Sequence, residues 1–250
     1  ALSLEMIQAL SQQMDQWEQR DDVVAIWLDG AGGKAFCAGG DIVQMHKSMV
    51  KHAGEGRNPF TEEYFAAEYV LDYRLHTSAI PVIVFGDGIV MGGGMGLLQG
   101  ADFRLVTPRS RMAMPEITIG LFPDVGGSWF LNRLPGRVGL FLGLTGVHIN
   151  GREAVEIGMA DRMVDADADS LLDALAEQDF ADDEAENRAV IYRLFKQQAA
   201  DMSDLPHPLI DHLPLINRLC DGESIAVVTE QLLNVKERDR WLDKALGNLE

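Results

Sequence analysis

The chain reads as an α/β domain that runs into a helical C-terminal region. Two observations carry that reading. Short apolar, β-branched runs close on glycine and give way to a loop and then a helical pattern, again and again. From about Asp165 this alternation stops. Asp165 to Glu186 holds ten acids and no Lys or Arg, and the chain beyond Glu186 is mostly helical in pattern. The expected division is an α/β core over residues 1–165 and a helical region over 166–250. An acidic run of this kind is usually a solvated face or a linker.

Leu4, Ile7, Leu10, Met14 and Trp17 recur at three or four residues, which predicts an amphipathic helix over 2–20 with Ser3 as N-cap and Glu5 in its first turn. VVAIWLDG, Val23 to Gly30, is a buried strand closed by glycine. Ala31 to Asp41 is a small-residue loop. Helices are expected over 42–52 and 61–78. PVIVFGDG, Pro81 to Gly88, is the next buried strand, and VMGGGMGLLQG turns helical as it leaves its glycines. DFRLVTP, Asp102 to Pro108, is a further strand. A helix near Ser128–Leu134 and another ending around Thr145 come after the apolar stretch AMPEITIGLFPDVGG.

Composition limits the function. With 250 residues and 47% hydrophobic content the chain can bury a sizeable core. A net charge of −18 argues against a nucleic-acid partner held by a broad basic surface. The two cysteines, Cys37 and Cys220, are far apart and fit no metal spacing, so a reducing compartment is expected: a bacterial-type cytosol, or the mitochondrial matrix in a eukaryote. No apolar run reaches membrane-span length. ALSLEMIQAL has no basic n-region and reads as a helix in progress, so residues of the domain are expected to precede Ala1. His46, His52, His76, His148, His207 and His212 form no metal motif, and no metal is expected.

Three motifs carry chemistry. Gly86, Gly88, Gly92, Gly93, Gly94 and Gly96 form a glycine-rich turn between strand and helix. Its spacing is one residue too long for a dinucleotide fingerprint, and no P-loop lysine follows. It suits either close helix–strand packing or backbone N–H groups aimed at an oxyanion. CAGGD, Cys37 to Asp41, is a second loop with the same capability; Cys37 itself reads as a structural buried thiol. Finally, Glu116 and Asp124 are acids in an apolar stretch, with Gly120 and Pro123 between them. They are either helix-end caps or a carboxyl pair folded into one pocket, where burial and mutual repulsion split their pKa values for acid–base work.

KAFCAGGDI, GDGIVMGGGMGLLQGADFRLVT and MPEITIGLFPDVGG, in this order and at these separations, resemble the crotonase (enoyl-CoA hydratase/isomerase) superfamily. The resemblance covers about Ala1 to Asp165. Within it, GLFPDVGG, CAGGD and the glutamate of AAEYVL look like the branch that hydrolyses 3-hydroxyisobutyryl-CoA in valine breakdown. The resemblance implies a spiral of βαβ turns with helices at the C-terminal end. It implies an acyl-CoA substrate, with coenzyme A as part of that substrate and no separate cofactor. By motif, the oxyanion N–H groups fall on Gly40 and Gly93, and the adenine and pantetheine arm along Ala38, Asp41 and Ile42. Glu116 matches the family's catalytic glutamate and Asp124 the second acid of hydrolases of this kind. Glu68 matches a glutamate near the acyl group that accepts a hydrogen bond from a substrate hydroxyl. One departure matters: hydratases carry another glutamate just after the glycine triplet, where this chain has Met95-Gly96. Hydrolysis therefore fits better than hydration. An enoyl-CoA hydratase or isomerase, and a silent CoA-binding scaffold, are the alternatives. Superfamily members are often trimers or dimers of trimers, which the hydrolase branch need not follow, so a homo-oligomer is one option; no nucleic acid and no membrane are expected, from the net charge and the short apolar runs. Against the family fold the chain is expected to lack the first strand and hairpin, and to end early.

Overall fold

The computed structural model describes residues 1–249. Two four-stranded sheets are built in step. One is ordered β1 (Ile26–Leu28), β3 (Val82–Gly86), β5 (Phe103–Val106), β8 (Arg162–Met163), all parallel. The other is ordered β2 (Ala35–Cys37), β4 (Ile89–Met91), β6 (Arg111–Ala113), β7 (Ile149–Asn150), parallel except for the antiparallel β6–β7 pair. Three successive passes each lay one strand in the first sheet and the next in the second; the last pair reverses this, with β7 in the second sheet and then β8 in the first. A spiral of βαβ turns results, as the resemblance implies.

The strands are legible in burial. All five residues of β3 are buried, as a central strand covered on both faces requires. Its alternate residues divide two cores. Val82 and Val84 face a large core with α1 (Leu4–Trp17), α3 (Pro59–His76) and α4 (Gly93–Gly100), while Ile83 and Phe85 face a smaller one. Each such aliphatic side chain contributes roughly 1.5–3 kcal/mol through burial.

Helix ends follow local chemistry. Ser3 caps α1, its Oγ accepting from the Met6 N–H at 3.3 Å. Asp41 caps α2 (Ile42–Lys51). Asn58 caps α3, Pro59 takes the first turn, and Arg74 and His76 sit in the last turn, where a cation suits the helix dipole. Arg74 ties α3 to α1 by donating to the Ser11 carbonyl at 3.0 Å and pairing with Asp15 at 2.8 Å.

The acidic run is an ordered, solvated element. All ten acids of 165–186 are exposed, yet the run contains α8 (Ala168–Ala176), capped by Asp167, whose Leu171 and Leu175 are buried. They and Ile191, Leu194 and Phe195 of α9 (Glu184–Gln197) cover the outer face of the first sheet. Further along, Leu209, Ile216, Val228, Leu232 and Leu242 return to the large core from the helices Pro208–Asp211, Leu213–Leu219, Ile225–Leu233 and Arg240–Leu246. Among the described residues, no helix is long and apolar enough to cross a membrane.

Candidate active site

Helix α4 is wedged between α3 and strand β2, and its glycines make this possible. A Cβ on Gly94 would collide with the Cys37 carbonyl, and one on Gly93 with Glu68 Oε1. A Cβ on Gly96 would lie 2.7 Å from Asp72 Oδ2, and one on Gly100 3.2 Å from the Asp72 carbonyl. Gly93, Gly96 and Gly100 thus form the face on which α3 rests, at helical spacing. The expected helix–strand packing holds at Gly94 against β2, while the other three glycines pack helix on helix; neither conflicts with a binding role. Gly93 opens α4, so its N–H has no carbonyl one turn back.

The CAGGD loop touches the same point. Gly39, at φ 98°, would place a Cβ 3.8 Å from Gly92 Cα and 3.9 Å from the Gly93 nitrogen. Gly40 follows, its carbonyl accepting from the Ile42 N–H at 2.8 Å, and a Cβ there would lie 2.6 Å from Tyr64 Oη. Both expected oxyanion glycines therefore lie in one small region. Ala38 and Ile42 are exposed beside it, and the Asp41 side chain is occupied by the Gln44 N–H at 3.0 Å. Cys37 is buried and burial pushes its thiol pKa up, which suits a structural residue.

Three expected carboxylates converge here. Glu116 opens a short 3₁₀ helix, Glu116–Ile119. It is buried, its Oε1 lies 3.3 Å from where a Cβ on Gly92 would be, and Oε2 is enclosed without a hydrogen-bond partner. Burial first, then the charge of Asp124, pushes its pKa up to about 7. Glu68 is also buried. Tyr64 Oη lies 3.3 Å from its Oε1, and burial, then Asp124 and Glu116, push its pKa up to about 7. Asp124 is partly exposed. The capping alternative for Asp124 fails: helix α5 (Gly127–Phe130) starts from Gly126 with no side-chain cap, and Asp124 Oδ2 instead accepts from Tyr69 Oη at 2.8 Å.

Three participants escape a reading of the sequence: Tyr64, Tyr69 and Asp72. All lie on α3 with Glu68. The available signal is Tyr64–Glu68–Asp72 at i, i+4, i+8, a polar line on one helix face. Asp72 has both carboxyl oxygens buried and without a partner, and burial above all pushes its pKa up to about 8. It borders a cavity of about 390 Å³ lined also by Tyr69, Tyr73, Gly96, Val125 and Trp129. That volume is within the usual range for small-molecule pockets.

The chain is similar to several known proteins. The family description "Enoyl-CoA hydratase/isomerase" matches residues 1–250. The mitochondrial 3-hydroxyisobutyryl-CoA hydrolases of Mus musculus and Homo sapiens are 38% and 36% identical over 234 residues, 93% of this chain. The chain spans 59% and 58% of the length of these two relatives. Among solved structures, a carnitinyl-CoA dehydratase from Mycobacterium thermoresistibile matches with a TM-score of 0.81 at 29% identity, covering 100% of this chain and 68% of that one. An enoyl-CoA hydratase from Rhodobacter sphaeroides matches at 0.77 and 32%, covering 99% and 67%.

Proposed function

The chain belongs to the enoyl-CoA hydratase/isomerase family, and we propose that within it this protein hydrolyses a short acyl-CoA thioester, with 3-hydroxyisobutyryl-CoA as the substrate. The observation that carries the reading is Glu116: a buried carboxyl with a free oxygen, set against the glycine turn that opens α4. A silent scaffold has no reason to bear the cost of such a group. The similarity to curated 3-hydroxyisobutyryl-CoA hydrolases supports the substrate.

In this reading the Gly40 and Gly93 N–H groups hold the thioester oxygen as it takes negative charge. Glu116 attacks the carbonyl or draws a proton from an attacking water, so its carboxylate form is the active one. Asp124, held by Tyr69, orients the water and manages the proton that reaches the departing thiolate. Glu68 accepts a hydrogen bond from the substrate hydroxyl, and the coenzyme A arm runs over Ala38, Asp41 and Ile42. Water and thioester become a carboxylic acid and free thiol.

The hydration of an enoyl-CoA is the second reading, favoured by the activity that names the Rhodobacter sphaeroides structure. Gly96, in place of a further acid, weighs against it. The two separate cleanly: 3-hydroxyisobutyryl-CoA is followed by thiol release, and crotonyl-CoA by loss of enoyl absorbance. Thiol release that Glu116→Gln removes supports the hydrolase; crotonyl-CoA hydration without thiol release refutes it.

A further inference from the structure

Tyr64 has no role in the chemistry above, yet it stands between the two glycines expected to hold the oxyanion. It is fully buried on α3, so its hydroxyl must find partners inside the protein. A Cβ on Gly40 would lie 2.6 Å from Tyr64 Oη. On the other side Tyr64 Oη lies 3.3 Å from Glu68 Oε1, the oxygen that a Cβ on Gly93 would strike. Tyr64 therefore meets the Gly40 loop directly and the Gly93 turn through Glu68.

Leu2 completes the arrangement. Tyr64 Oη donates to the Leu2 carbonyl at 3.0 Å. Leu2 forms a parallel bridge with Gly40: its N–H donates to the Gly39 carbonyl at 2.9 Å, and its carbonyl accepts from the Asp41 N–H at 3.1 Å. Gly40 is thus braced through both of its neighbours. The Tyr64 hydroxyl has one proton and two acceptors, the Leu2 carbonyl and Glu68 Oε1. Burial first, then Glu68, pushes the phenol pKa up, so Tyr64 keeps that proton. It cannot serve both acceptors fully. An ionised Glu68 attracts it more than a carbonyl does, since charge-assisted hydrogen bonds are roughly twice as strong as neutral ones. A hydroxyl that donates to Glu68 weakens this pull and leaves the proton on Leu2.

We propose that Tyr64 is a positioning residue that carries hydroxyl recognition at Glu68 to the oxyanion loop at Gly40. With a hydroxylated acyl group bound, Glu68 takes a hydrogen bond from the substrate, and Tyr64 donates to Leu2 and braces Gly40. With an acyl group that lacks the hydroxyl, Tyr64 turns to Glu68, the Leu2 carbonyl keeps only the Asp41 N–H, and the Gly40 N–H is held less well. The substrate hydroxyl then raises kcat as well as tightening binding, because contacts to the oxyanion act in the transition state. This role rests on the hydrolase reading above and adds to it a route from recognition to turnover.

The test compares thiol release from 3-hydroxyisobutyryl-CoA and from isobutyryl-CoA, which lacks only the hydroxyl, at about pH 8. At that pH Glu68, whose pKa is pushed up to about 7 by burial, then Asp124 and Glu116, is mostly ionised. kcat and KM are read separately for wild type, Tyr64→Phe and Glu68→Gln. Wild type is expected to turn over the hydroxylated substrate with a kcat at least ~10-fold higher, the effect of about one hydrogen bond. Tyr64→Phe is expected to bring that kcat ratio to within about 2-fold of one, while the KM ratio stays as in wild type. A tyrosine that only fills the core predicts equal losses on both substrates, and an unchanged kcat ratio overturns the role. Glu68→Gln has no charge to attract the proton, and its amide can donate to Tyr64 Oη, so kcat for isobutyryl-CoA is expected to rise at least ~3-fold. That gain decides alone if Tyr64→Phe does not fold or wild-type isobutyryl turnover is too slow to follow, and its absence counts against the proposal. Equal kcat values for the two substrates in wild type overturn the role of Tyr64 and leave the hydrolase reading standing. Thiol release from neither substrate overturns both.

Discussion

Tyr69 Oη donates to Asp124 Oδ2 at 2.8 Å, joining helix α3 to the loop that follows the Glu116 turn. This bond fixes the second acid where no helix cap does. Its phenol is pushed up in pKa by burial and by the Asp124 carboxylate, so it stays a donor across the working pH range. Tyr69→Phe should lower kcat/KM for 3-hydroxyisobutyryl-CoA by ~10–100-fold, within the range of a positioned acid–base contact. Because Tyr69 acts through Asp124, the double variant with Asp124→Asn should be no worse than Asp124→Asn alone. Additive losses in that cycle would count against the linkage.

In the proposed chemistry Glu116 works as the carboxylate, and burial raises its pKa to about 7. The kcat/KM profile should therefore rise with pH through about 7 and level off above it. Glu116→Gln should remove the limb along with the activity. A flat profile across the neutral range would mean that another group takes the proton.

Stability should show the same carboxyls with a definite sign. Asp72, Glu68 and Glu116 all have folded-state pKa values above their unfolded ones. Their contribution is fully present below the unfolded pKa of about 4 and is lost as pH rises through about 7 to about 8. Asp72 is the largest single case, on the order of a few kcal/mol across that window. Asp72→Asn should thus gain stability over wild type as pH increases, read as a Tm difference that widens from about pH 5 to about pH 8. A difference independent of pH would show that Asp72 is solvated or paired.

The glycine wedge gives a packing prediction. Gly94→Ala places a methyl against the Cys37 carbonyl, which is backbone and has little room to move. It should cost at least ~2 kcal/mol in urea unfolding, as overpacking at a backbone contact does. Gly54→Ala, at φ 86° with open space around it, carries only conformational strain and should cost about 1 kcal/mol. Equal costs would mean that α4 shifts freely away from β2.

The legible parts of this protein are those with local or periodic signals. Strand β3 is readable because both its faces are buried, and α1 because its apolar stripe and Ser3 cap agree. The run over 23–30 shortens to Ile26–Leu28 because only that part pairs with β3. The helix expected over 128–134 is a four-residue turn, Gly127–Phe130, followed by a 3₁₀ segment, Leu131–Arg133. The backbone of this segment is closely packed at Gly139, where a Cβ would collide with the Leu131 carbonyl. The glycine loops and Glu116 stand out as motifs. Tyr69 does not, because its partner lies 55 residues away and no spacing rule reports such a bond. Asp72 lies in plain view one turn from Glu68, but its burial depends on Gly96 and Val125, which only the fold brings there.

The proposed chemistry turns on Glu116, and thiol release from 3-hydroxyisobutyryl-CoA is the measurement that decides it. Wild type and Glu116→Gln are compared at about pH 8, where a carboxyl with a pKa of about 7 is mostly ionised. Steady release by wild type is expected, with a loss of at least ~1,000-fold in the variant. Glu116→Gln with full activity, in a protein whose wild type does release thiol, would contradict the role given to this carboxyl.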